Sequence, residues 1–315
     1  MRLLLVELRR GWVRRSTRVL VLVAVLMIAA LGIGMFLTSS ADLDESARMG
    51  LQEREQQLEQ CIDTGGFGSE VPESELPALC ESMVGPVDWF VSDQRFHLVD
   101  LWMPPSEDGF DEGGDGILTV TTFLLVLGAL IAGATFVGAD WRYGTIGTLL
   151  TWEPRRGRVF SAKAVAVAIW SFALGVVLQA LVCLSVLPAA LWRGTTEGAD
   201  GQWFGEVVAA ILRSSALAAG AALLGYAVAS LGRNTAAALG AAFGYVAVGE
   251  SLLRMLRPGW QQWLLGDNTT TVIVGTPLDG TVGRSVGGAA LVLTCYLAGA
   301  LLVAAVVFAR RDVAS

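Results

Sequence analysis

Six stretches of the chain run for about 20 residues or more with few charges, and the polar residues gather in blocks between them. About 20 apolar residues of helix cross about 30 Å of hydrocarbon. The pattern predicts six membrane-spanning helices over residues 18–38, 117–138, 164–191, 206–231, 236–255 and 286–309. Residues 1–17 precede the first span. At 100° per residue, Leu4, Leu5, Leu8 and Trp12 share one face, while Glu7, Arg10 and Arg14 take the other. That predicts an amphipathic helix lying in the headgroup plane. A secretory leader would also start with charge before an apolar run. Here the run from Val19 to Leu37 is long enough to remain as an anchor, and further spans follow it.

The polar blocks differ in kind. Residues 39–116 begin with a charge-rich helical pattern and continue rich in Gly and Pro, with Trp89, Phe90, Phe96 and Trp102 interspersed. They predict a small, partly mobile lobe packed on the outer mouths of the spans. Residues 256–285 are neither a clean span nor very polar, with Pro258, Trp260 and Trp263 ahead of Thr269 to Val274. One or two short helices dipping into the outer leaflet are expected there, because broken backbone at that depth must be buried in protein or wetted. Residues 139–163, DWRYGTIGTLLTWEPRRGRVFSAK from Asp140 onward, form the one long polar connection with a basic balance. A helix is predicted from Trp141 to about Trp152 with Asp140 as its N-cap. Pro154 ends it, because proline lacks an amide proton and disfavours helix at the preceding residue. An amphipathic helix followed by a basic turn reads as a docking element.

Composition agrees with the pattern. The chain is 315 residues, 54% hydrophobic and 16% charged, with mean hydropathy +0.58. An ordinary soluble domain is less apolar. The fold class is therefore an all-α polytopic membrane protein: an N-terminal interfacial helix, six transmembrane helices, and an acidic extracytoplasmic lobe between the first and second spans. The net charge of −7 is unevenly spread, with 19 of the 29 acids between Thr38 and Gly116. With the N-terminus inside, the inner pieces hold 14 of 22 Arg and Lys, and the longer outer pieces hold eight. That density places both termini in the cytoplasm. Trp12, Trp141, Trp152, Trp192, Trp203, Trp260 and Trp263 fall near predicted span ends, where an aromatic belt would place them.

Candidate chemistry is sparse. The single lysine, Lys163, is preceded by Val-Phe-Ser-Ala, so a phosphate-cradling Gly-rich loop ending in Lys-Ser/Thr cannot form. His97 is the only histidine, which argues against zinc and against a serine–histidine hydrolase. The chain is expected to be no enzyme and to carry no cofactor or metal. Glu206, Arg213, Glu250 and Arg254 lie toward span ends, where they can snorkel or pair. The alternative is that they line a substrate path. A carrier driven by protons or sodium would want such groups nearer the middle. Gly240 and Gly244 form a GxxxG, and Gly220, Gly225 and Gly232 add small faces. These suit close packing inside the subunit or a dimer seam. Cys61 and Cys80 lie in the acidic segment and Cys183 and Cys295 in spans. An extracytoplasmic lobe would let Cys61 and Cys80 form a disulfide, the alternative being two unpaired thiols in a mobile loop.

The docking stretch resembles the permease subunits of type-2 ATP-binding-cassette (ABC) exporters. The resemblance rests on Asp140, Gly144 and Thr145, the pair Leu149 and Leu150, Pro154, the cluster Arg155, Arg156 and Arg158, and Lys163. The family usually has Glu at the first of these positions, and Gly157 interrupts the arginines here. The order of spans extends the likeness over most of the chain. The resemblance implies that residues 139–163 couple to a separate ATPase subunit, with Arg142, Arg155 and Arg156 as contacts. ATP and magnesium would then belong to that partner. It further implies a second permease copy, a lipid membrane of bacterial plasma-membrane type, no nucleic-acid partner, and outward transport of a hydrophobic or amphipathic cargo. The competing class is a non-transporting sensor or scaffold whose outer lobe binds a ligand.

Overall fold

The computed structural model describes residues 2–39, 43–64, 76–85, 95–102, 116–275 and 284–310. Trp89, Phe90 and Arg311 lie outside them. The helices are α1 (Arg2–Val13), α2 (Arg15–Thr38), α3 (Leu43–Asp63), α4 (Leu76–Val84), α5 (Ile117–Arg142), α6 (Thr145–Trp152), α7 (Arg156–Arg193), α8 (Gly201–Gly232), α9 (Thr235–Gly244), α10 (Glu250–Leu256), α11 (Leu265–Val274) and α12 (Val286–Arg310). A π-helical turn, Tyr245–Gly249, joins α9 to α10, and a 3-10 turn, Pro258–Trp263, precedes α11. Among the described residues six helices are long and apolar enough to cross a membrane, with α9 to α10 counting as one, Thr235–Leu256. In hydrocarbon every backbone polar group must be satisfied within the segment, which long apolar helices achieve. The chain is therefore all-α with the architecture of a multi-pass membrane protein.

Two compact units divide the chain. In the larger, α5 lies along α8, α12 packs on α8, and α11 packs on α12. The α5–α8 seam works by absence of side chains. A Cβ at Gly133 would overlap the Ala222 carbonyl, and one at Gly225 would overlap the Leu130 carbonyl. Small residues let helices approach until their backbones touch. Near one end of the seam an aromatic group closes the core: Phe160 lies 5.1 Å from Tyr226 and 5.8 Å from Phe308, centroid to centroid. The Tyr226 hydroxyl donates to the Phe160 carbonyl at 3.0 Å. Gly240 and Gly244 meet nothing within 4 Å, so the close internal packing falls at Gly133 and Gly225 and not at the GxxxG.

Helix α7 runs unbroken from Arg156, eight residues before the expected span, and continues through Pro188. At 1.5 Å per residue its 38 residues extend about 57 Å, well beyond the hydrocarbon thickness. The fifth membrane-length helix is continuous in direction but changes its hydrogen-bond register at the π turn. Pro258 and Gly275 bracket the irregular stretch that follows, and Gly275 closes α11 in the left-handed region (φ 91°).

In the smaller unit α3 and α4 are joined by a Cys61–Cys80 disulfide. Arg54 reaches Glu81 at 3.5 Å. Ser39 receives the Phe96 amide and donates to the Arg193 carbonyl, while Arg193 stacks on Phe36 at 4.7 Å. Closing a loop of 19 residues stabilises by about 3 kcal/mol on the chain-entropy account. Under denaturing, non-reducing conditions two of the four cysteines should react with a maleimide, and all four after reduction. Four reactive thiols before reduction would show the bond absent from the protein.

Candidate functional site

The docking stretch begins where α5 ends. Helix α5 continues through Asp140 and Trp141 to Arg142 and stops as Gly144 turns left-handed (φ 66°). An L-residue there costs about 1–2 kcal/mol, although the space beside Gly144 is open. Helix α6 starts at Thr145, with Gly144 at the cap and no side-chain cap bond. The expected N-cap role of Asp140 is therefore corrected: it lies in the last turn of the preceding helix. Its carboxylate instead receives the Thr145 hydroxyl at 3.1 Å, across the break. At the other end Trp152 closes α6, Glu153 is extended, and Pro154 leads into the basic turn. Ile146 is buried and Leu150 packs partly on the aromatic core, so α6 is seated on one face.

Beneath this helix lies a buried ionic network. Lys163 Nζ donates to Asp140 Oδ2 and to Glu7 Oε1, both at 2.8 Å. Glu7, Asp140 and Lys163 are 1%, 2% and 3% exposed. Asp140 Oδ1 also receives Arg14 at 2.9 Å and Arg10 at 3.1 Å. Arg14 donates further to the Phe136 carbonyl at 2.6 Å and lies over the Phe136 ring at 4.4 Å. Burial pulls the Arg14 guanidinium below its usual value, and Asp140 opposes the shift; an arginine starts high enough to stay charged at neutral pH. Trp170 Nε1 donates to the Leu8 carbonyl at 2.7 Å, and Gly11 leaves room for the indole. Helix α1 is thus fixed to α5 and α7 through its polar side.

In that arrangement the charged side of α1 is turned to the core. Glu7 and Gly11 are buried, while Leu5 is 65% exposed and Val6 is open too. In water the charged face would turn outward. Beside lipid the apolar face can, and the charges then satisfy one another inside. Sequence reading missed Glu7 because a Glu among arginines on a helix looks solvated. The signal was the lone Lys163 at the foot of an apolar run, which needed a carboxylate.

The residues singled out in the sequence therefore separate. Asp140 and Lys163 are buried and cannot form part of a contact surface. Thr145, Leu149, Leu150 and Arg156 are half-buried, and Arg156 reaches the Ala309 carbonyl at 3.4 Å. Arg142, Gly144, Pro154, Arg155 and Arg158 are exposed, as are Tyr143 and Trp152, the last by 87%. Arg158 pairs loosely with Glu153 at 3.6 Å. The result is a short, seated helix with exposed aromatic and cationic groups at both ends.

Fold and site together define a multi-pass, all-helical membrane-type protein with a short helix seated on its core. No protein-family model and no curated protein matches the chain.

Removing one member of a buried, hydrogen-bonded ion pair typically costs about 3–5 kcal/mol. Glu7→Gln and Lys163→Met should each lower the stability of the detergent-purified chain by about that much. The double substitution should cost less than the sum, because the second change removes a charge already stranded. Additive losses in equilibrium unfolding would mean that the two side chains do not interact.

Proposed function

We propose that this chain is the membrane-spanning permease subunit of an ABC exporter, worked by a separate ATPase subunit that docks on α6. The observation that carries the reading is the construction of α6. It is an eight-residue helix between two membrane-length helices, seated by Ile146 and Leu150, with Arg142, Trp152 and Arg155 left exposed. A helix fixed on one side and open on the other transmits force from a docked protein to the elements that hold it. Asp140 and Lys163 then act as positioning residues, linking the base of α6 to α1 and α7. Arg142 and Arg155 are the contacts, and complementary acids are expected on the ATPase.

Docking lies on the cytoplasmic side in this reading, with both termini inside, as the distribution of arginine and lysine supports. Two permeases and two ATPases form the transporter. ATP-driven closure of the ATPases biases the spans between inward-open and outward-open arrangements, which requires that the docked subunits bind the two arrangements differently. The apolar span surfaces suit a hydrophobic or amphipathic cargo.

Arg142→Glu with Arg155→Glu should abolish co-purification of the ATPase subunit while leaving the unfolding midpoint within a few degrees of wild type, since both side chains are exposed. Undiminished co-purification would remove the contact assignment. Purification of the wild-type chain without any nucleotide-hydrolysing subunit would favour the sensor or scaffold reading.

A further inference from the structure

A concavity of about 440 Å³ opens where α1 and the start of α2 meet the end of α5. Arg10, Arg14, Arg15 and Arg142 line it, and Asp140 is its one acid. That acid is already oversubscribed. Its two oxygens serve Arg10, Arg14, Lys163 and the Thr145 hydroxyl. Counting Glu7, the buried network holds three cations against two carboxylates. Arg15 and Arg142 add two more positive charges at the rim and make no ion pair among the described residues. Like charges gathered in a half-buried site repel one another, and an anion entering the cavity relieves that repulsion.

The chemistry of the lining selects the anion. Guanidinium groups present planar forks of N–H donors that match phosphate oxygens. Four of them around one concavity, at the ends of membrane-length helices, suit a phosphate held at headgroup depth. The same face of α2 continues the site. A second, shallow concavity of about 280 Å³ is lined by Thr17, Arg18, Val21, Leu22 and Val25. These residues recur at helical spacing and fall on one side of α2, starting two residues after Arg15. A basic pocket with a largely apolar helix face beginning two residues beyond Arg15 matches the order of a phospholipid: headgroup phosphate first, acyl chain after.

We infer that this cavity binds the phosphate of an anionic membrane phospholipid, with the acyl chain laid along α2. The site would join the lipid to the network that holds α1 and α6, so that occupancy stiffens the docking end of the chain. The inference rests on membrane insertion and not on the exporter reading, because it concerns the chain alone.

The full chain, purified in detergent without any partner, is titrated with dioleoylphosphatidylglycerol, dioleoylphosphatidylcholine or inorganic phosphate, and its thermal unfolding midpoint is followed. The phosphatidylglycerol should raise the midpoint saturably, at concentrations where the other two leave it unchanged. Arg15→Gln with Arg142→Gln should raise the half-saturating lipid concentration at least about a hundredfold, the loss expected for two charge-assisted hydrogen bonds. Both side chains are exposed, so the variant folds, and Arg15→Gln alone should move the value in the same direction. Arg155→Gln, an equal loss of charge outside the cavity, should not move it. Equal stabilisation by phosphatidylcholine, or an unchanged lipid response in the double variant, would overturn the site. The same shift from inorganic phosphate at matched concentration would make it a free-phosphate site and overturn the lipid.

Discussion

One ammonium group holds the inner architecture together. Lys163 is the only lysine in the chain, and it is buried between two carboxylates that come from opposite ends of the N-terminal half. Leaving any one of the three unpaired would strand a charge away from water, at a cost of several kcal/mol. Burying each of the three therefore favours burying the other two beside it. Their assembly fixes α1 by Glu7, the end of α5 by Asp140 and the first turns of α7 by Lys163. Each of the other features of this region depends on that arrangement. Arg14 can reach the Phe136 carbonyl only because α1 lies against α5. Thr145 can rest on Asp140 only because the chain turns at Gly144.

This network also accounts for how a short helix is held in place. Alone, eight residues of helix would be marginal in water. Helix α6 is held at its start by the Asp140–Thr145 bond, on its face by Ile146 and Leu150, and at its end by the stop at Glu153 and Pro154. Its exposed side carries Thr148, Thr151 and Trp152, and its seated side packs on the core through Ile146 and Leu150. One set of charges thus seats the helix and gives the adjoining cavity its sign.

Much of this was legible in the residues. Six long apolar runs cannot be other than buried or lipid-facing, and six membrane-length helices are present. The stop at Trp152 followed from Pro154, whose effect is local and steric. What the pattern could not give was the direction in which a polar face points. The moment of α1 separates Leu5 from Glu7, but the partner of each face depends on whether water or lipid lies outside. The Asp140 cap failed for a related reason. Asp before a helical pattern reads as a cap, while the apolar run before it allowed α5 to continue past it. Gly240 and Gly244 showed that a spacing motif cannot say which helix it faces, whereas Gly225, read as a small face, does lie in the seam with Gly133. The bond between Cys61 and Cys80 lay within the range the composition allowed, with the choice set by where α3 and α4 come together.

The central claim is that Lys163 clamps α1 and α6 to the same core. Amide hydrogen exchange reads that clamp segment by segment. In the wild-type chain the amides of Leu8 to Val13 and of Leu149 to Trp152 should exchange slowly. In Lys163→Met both segments should speed up by about a hundredfold, the factor that corresponds to about 3 kcal/mol, while α12 keeps its protection. Unchanged exchange in Leu8 to Val13 would contradict the account, since the helix would then be held by something other than this lysine.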